Sequence, residues 1–211
     1  MVMLKSLIGS GLIAAASAKY PENPGCGDIN VLYTGLPAYH PYVVEQGWDP
    51  SMVDASIRSD TQNLINAGYN TRNHEVVLMG PEQDISQMEA QFKDVEFHVT
   101  GIGYGMRPSK IPEVITRFED NVFLFNKLVP DTPTVYNYNP NTFLWSVERR
   151  FPIKEDCSKR PGKDLGYIEI CDERCELTKT SWNLRKAALN KDKDNILFNQ
   201  AVEMNQLFGK I

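Results

Sequence analysis

Three glycines alternate along Gly101-Ile102-Gly103-Tyr104-Gly105-Met106-Arg107, and of all the segments in this 211-residue chain this one is best suited to hold a ligand. A backbone without side chains at 101, 103 and 105 can approach another molecule closely or take positive φ. Arg107 adds a planar, permanently charged fork of donors. A small polar molecule, anionic or carbonyl-bearing, suits such a loop. The bland alternative is a tight connection whose glycines only relieve crowding.

Other side chains can join it. Asn137 and Asn139 (Tyr136-Asn137-Tyr138-Asn139-Pro140) offer hydrogen bonds, although Asn139 before a proline also reads as a helix cap. His40 and Glu82 are weak candidates for a general base and its carboxylate; the remaining histidines, His74 and His98, fall in β-prone runs. No Gly-x-Ser-x-Gly elbow marks a serine nucleophile. The glycine run lacks the Gly-x-Gly-x-x-Gly spacing, with Met106 in the last position, and there is no Walker lysine, so no nucleotide cofactor is expected. Nothing in these residues names a reaction, and catalysis stays open.

The elements that must position these residues alternate. Ile29–Tyr33 is β-prone; Asp49-Pro50 opens a helix as N-cap and N1, and Gly68 closes it. His74–Met79 reads as a strand, and Gly80-Pro81 starts a helix with Ile85, Met88 and Phe92 on one face. Asp94–Thr100 is a third strand, and Pro112–Leu128 a helix with Ile115, Phe118, Val122 and Phe125 facing inward. Thr132–Tyr138 is a fourth strand, followed by a helix from Asn139-Pro140 to about Arg149. Strand-helix repetition predicts an α/β fold: a mostly parallel sheet of about four strands with helices on both faces, flavodoxin- or Rossmann-like. In such sheets ligands bind beyond the carboxyl ends of the strands, where the loops named above converge.

The ends of the chain have a different texture. Residues 1–18 run from Lys5 through an apolar stretch to Ala16-Ser17-Ala18, the anatomy of a secretory signal peptide. Residues 19–28 form a Pro/Gly-rich arm, residues 29–152 the α/β domain, and residues 153–211 a charged, Cys-containing appendage with short helices around 181–189 and 195–208. Cys26, Cys157, Cys171 and Cys175 form an even set in a secreted chain and predict two disulfides, any complete pairing of which ties Cys26 to the C-terminal part. Cys171 and Cys175 have no second close pair or nearby histidine, so no metal site is expected.

Loss of the leader takes the formal charge from −5 to −6, with the negative excess before residue 152. With no basic stripe, nucleic acid is excluded as a partner. The leader is too short to span a bilayer and nothing later is long and apolar enough, so no membrane partner is expected. The partner is then either a small polar molecule or a protein. In the latter case the α/β body is a scaffold and the appendage or the long first loop makes the contact.

The segment from Ser56 to Pro152 carries Ile57-Arg58-Ser59-Asp60, Met79-Gly80-Pro81-Glu82, the glycine run through Arg107, Arg117-Phe118-Glu119-Asp120, Tyr136-Asn137-Tyr138-Asn139-Pro140 and Arg149-Arg150-Phe151-Pro152. In these it resembles a group of small fungal and bacterial Rossmann-like α/β proteins to which no activity is assigned. The resemblance covers under half the chain and implies the fold but no catalytic residue. Those proteins are shorter, without the leader or the Cys-bearing tail.

Overall fold

The structure, a computed structural model, describes residues 23–69, 75–93, 96–162, 164 and 166–208, of which 75, 76 and 192–208 are described by backbone alone. The leader read over 1–18, the first residues of the arm and His74 lie outside the described residues.

Among the described residues five strands form one parallel sheet: β1 Val31–Gly35, β2 Glu75–Met79, β3 Val99–Ile102, β4 Thr134–Tyr136 and β5 Gly166–Ile170, in the order β4-β3-β1-β2-β5. The first four follow the flavodoxin order, roughly 2-1-3-4, but the fifth pairs beyond β2 rather than beyond β4. The sheet thus has one strand beyond the about four expected. The fifth comes from the segment read as an appendage, so the sheet draws on chain beyond residue 152.

Among the described residues six helices complete the fold: α1 Pro41–Glu45, α2 Pro50–Asn66, α3 Ser86–Glu89, α4 Pro112–Leu128, α5 Phe143–Glu148 and α6 Glu173–Phe208. Because strand side chains alternate between faces, Val31 and Tyr33 face one core with Ile57 and Leu64 of α2 and Phe143 and Val147 of α5. Leu32 faces the other, with Val43 of α1, Met88 of α3, and Val114, Leu124 and Phe125 of α4. The sheet is covered on both faces.

Local signals set α2 and α4 as the sequence predicts. Asp49 accepts from the Ser51 and Met52 backbone N–H groups, and Gly68 ends α2 at φ +86°. Elsewhere tertiary contacts override them. Gly80-Pro81 makes a turn, and the helix expected there is only α3 plus the 3-10 turn Ala90–Phe92. In α4 the buried face carries Val114, Arg117, Asn121, Leu124 and Phe125, while Ile115 is exposed. Arg117 is tolerated there because its guanidinium donates to the Pro81 carbonyl at 2.8 Å and to the Gln83 carbonyl, pinning the loop after β2. His98 precedes β3, half-buried, and its Nδ1 accepts the Asn30 N–H at 3.0 Å.

Asn139 does not cap α5. The buried carboxylate of Asp60 on α2 receives the Phe143 backbone N–H instead, doing from a distance what an N-cap does locally.

Two disulfides close the ends. Cys26–Cys157 spans 131 residues and packs on Gly68, where a Cβ would collide with the Cys157 side chain. Cys171–Cys175 joins the end of β5 to the first turn of α6. The two short C-terminal helices expected from sequence are one continuous helix, α6. Among the described residues no helix is long and apolar enough to cross a membrane.

Candidate functional site

β1 pairs with β2 on one side and β3 on the other, so the chain leaving β1 and the chain leaving β3 diverge. A crevice must open between them at the carboxyl edge. There the structure has a cleft of about 50 Å³, walled by Val43 and Gln46 at α1, Trp48, and Val53 and Ile57 of α2, with Tyr33, Gly35, Leu36, Leu78, Gly103, Tyr104, Gly105 and Pro140 completing it. Trp48 and Tyr104 meet edge to face, ring centroids 6.4 Å apart, and divide this cleft from a more open hollow lined by Glu45, Pro108, Lys110 and Ile111.

The glycines of the 101–107 run have three different roles, none of them at positive φ. Gly101 is a packing glycine, since a Cβ there would enter the Phe143 ring. At Gly103 a Cβ would lie 2.7 Å from the Tyr33 hydroxyl, so the bare backbone lets that hydroxyl reach the edge. Gly105 meets nothing within 4 Å and borders open cleft.

Arg107 does not line the cleft. Its guanidinium donates to the Asn137 carbonyl at 2.8 Å and lies 5.7 Å over the Tyr136 ring, so its fork steadies the end of β4. Asn137 is fully buried, and its Nδ2 donates to the Asn139 carbonyl at 2.7 Å. Its Oδ1 has no protein partner. Asn139 shapes the turn: its carbonyl also receives Thr142 Oγ1, and its side chain accepts from the Asn141 N–H. Burial, reinforced by the negative charge of Asp60, raises the Tyr33 hydroxyl well above the ordinary tyrosine pKa, so it stays a neutral donor.

The fold brings His40 and Glu82 together, Nε2 to Oε2 at 3.1 Å. His40 is fully buried, and its Nδ1 accepts the Tyr42 N–H at 3.2 Å as the N-cap of α1, so Nε2 carries the proton and donates to Glu82. Both ring nitrogens are thereby occupied, leaving none for a substrate proton. Burial lowers the His40 pKa, against the opposing pull of the Glu82 carboxylate. For Glu82, burial is the largest influence and acts upward, but the hydrogen bonds from Arg174, its own backbone N–H and His40 together outweigh it and hold the carboxyl below its usual range. Arg174 bonds Glu82 at 2.8 Å and both oxygens of Asp172, extending the chain of charges onto α6. The pair is a clamp joining α1, the loop after β2 and the start of α6.

Sequence reasoning missed Tyr33 and Trp48 as cleft residues. Tyr33 was legible in part, because strand alternation puts it on the face opposite Leu32; nothing local marked Trp48. All four cysteines are in disulfides, and among the described residues no group of three or more His, Cys, Asp or Glu is placed to hold a metal ion.

The chain matches no protein-family model, no curated protein and no solved structure. The resemblance read over residues 56–152 therefore rests on its motifs alone.

Proposed function

We propose that this is a secreted domain that binds a small molecule in the cleft between the carboxyl ends of β1 and β3. The observation that carries the reading is position. The cleft lies at the switch point of the sheet, where doubly wound α/β folds hold their ligands, and Gly103 and Gly105 of the glycine run border it. Secretion is supported by the leader anatomy together with two disulfides, which persist in oxidising compartments. The anchor differs from the one the glycine run first implies. Arg107 is engaged at β4, and the cleft itself contributes the contacts.

The test is a thermal-shift screen of the oxidised protein against nucleotides, sugar phosphates, carboxylic acids, flavins and neutral aromatic compounds, repeated on Gly105→Leu and Arg107→Ala. A saturable stabilisation lost in Gly105→Leu supports the cleft. One lost only in Arg107→Ala transfers the site to the β4 edge, and no stabilisation across the library removes the reading.

α6 favours a second reading, a protein-interaction role. Leu177, Leu184 and Leu189 on it are 65%, 68% and 60% exposed, unusual for three leucines on one helix of a charged segment. In that case Leu184→Glu abolishes capture of a partner protein while Gly105→Leu has no effect.

A further inference from the structure

We infer that the Cys171–Cys175 disulfide is a redox latch: a dithiol reductant opens it while Cys26–Cys157 stays closed, and opening frees the first turn of α6, the loop after β2 and the cap of α1. The opening itself stands apart from the cleft. Its effect on ligand binding, through Val43 and Gln46 of α1, rests on the reading of the cleft as a ligand site.

The two bridges differ in reach. Cys157 is only 4% exposed, and its bond to Cys26 packs on Gly68. Cys171 and Cys175 lie four positions apart at the carboxyl end of β5, and both are only half-buried. Exchange requires a thiolate to reach a sulfur, so the short bridge is the accessible one. Folding also holds it less firmly. So short a loop closes readily in the unfolded chain, whereas the ends of a 131-residue loop depend on the fold to meet.

In the reaction one thiolate of the dithiol attacks a sulfur of the pair and displaces the other cysteine, and the second thiol then breaks the mixed disulfide. Cys171 and Cys175 gain two electrons and two protons, and the reductant leaves as its cyclic disulfide.

Between the two cysteines lie Asp172 and Arg174, and both grip the loop after β2. Gln83 Nε2 donates to Asp172 at 3.3 Å, and Arg174 donates to Glu82 at 2.8 Å. Glu82 in turn accepts from His40 Nε2 at 3.1 Å, and His40 caps α1 through the Tyr42 N–H. β5 is secured separately, by its pairing with β2 and by the Gly80 N–H donating to the Ile170 carbonyl at 3.0 Å. Beyond the bridge α6 is held lightly. Leu177 and Leu184 are exposed, and the contacts of Lys179 with the Tyr39 ring and of Lys186 with Asp49 are surface contacts of a kind that contributes little. The covalent bridge is therefore a link from β5 to α6 that solvent does not weaken, and without it exposed polar contacts alone keep Arg174 on Glu82.

The oxidised protein titrated with dithiothreitol, quenched in acid, alkylated and mapped by mass spectrometry measures selectivity. Cys171 and Cys175 should be alkylated at about tenfold or more lower reductant than Cys26 and Cys157. At that reductant level, amide hydrogen exchange should accelerate about tenfold or more at residues 174–177, at residues 82–83 and at Tyr42, and stay unchanged in β1. Paired Cys171→Ser and Cys175→Ser substitutions should give the same pattern without reductant. Arg174→Ala in the oxidised protein should accelerate exchange at residues 82–83 and Tyr42 while Cys175 stays protected. Reduction of all four cysteines together overturns the latch. So does selective reduction with exchange unchanged at residues 82–83 and Tyr42, and so does acceleration throughout β1, which makes the bridge a staple of the whole fold. Each of these outcomes leaves the cleft reading standing, because the ligand screen tests that on its own.

Discussion

Phe143 stacks on Tyr33 with ring centroids 3.7 Å apart and planes inclined by 17°, and its ring edge fills the space that any side chain at position 101 would need. One aromatic residue of α5 thus fixes both a cleft-lining tyrosine of β1 and the identity of a glycine in β3. The cleft is shaped by the packing of α5 against the strands as much as by its own loops.

From that contact, Gly101→Ala should destabilise the protein by about 1–3 kcal/mol, because the added methyl must push back a fully buried ring. Gly105→Ala, which meets open space, should stay within about 0.5 kcal/mol of the parent. Chemical denaturation of the two variants side by side checks the difference; equal stabilities would mean that the Phe143 ring yields freely.

Asp60 holds α5 by its first turn, so Asp60→Ala should cost about 1–3 kcal/mol by leaving the buried Phe143 N–H without its acceptor. Amide exchange at Phe143 and Leu144 should accelerate before the rest of the sheet. Unchanged exchange at both would show that α5 stands without this carboxylate.

His40 makes stability depend on pH. Its pKa in the folded state lies below the ordinary 6.5 because the buried ring resists charging, so in the window beneath that value the unfolded chain binds more protons than the folded one. Stability is therefore complete above about pH 6.5 and falls as the pH drops below it. Protonation at Nδ1 would also set an N–H against the Tyr42 N–H that it caps. His40→Asn keeps a capping oxygen and removes the titration, so its midpoint of unfolding should vary less between pH 7 and pH 5. A slope identical to the parent's would place the acid sensitivity elsewhere.

The disulfides should be unequal. Removing Cys26–Cys157 by paired serine substitutions releases a 131-residue loop and should cost about 2–5 kcal/mol. Removing Cys171–Cys175, separated by four positions, should cost less globally but free the start of α6. Unfolding midpoints measure the first effect. Limited proteolysis near residue 172 measures the second, and resistance there equal to the parent's would assign the hold on α6 to Arg174 alone.

By itself the sequence determined what local chemistry can determine. Asp49-Pro50 and Gly68 bound α2, Pro112 opens α4, and the recurrence of strand and helix dictates a parallel α/β sheet, because each of these depends on dihedral preferences and capping within a few residues. That Cys26 must be tied to the later cysteines also followed from their count and position; only the fold chose Cys157. Tertiary structure decided the rest. Arg117 faces inward only because carbonyls from the loop after β2, more than thirty residues away, replace the water it loses. β5 becomes a strand by pairing with the edge of β2, although its segment is polar and set among charges. The glycines at 101, 103 and 105 look equivalent along the chain, yet Phe143, Tyr33 and open space give them three separate roles. His40 meets Glu82 across a separation that no periodicity encodes. The reason is the same in each case: which face of an element is buried, and which polar group can be satisfied there, is set by the neighbour that chain topology brings against it.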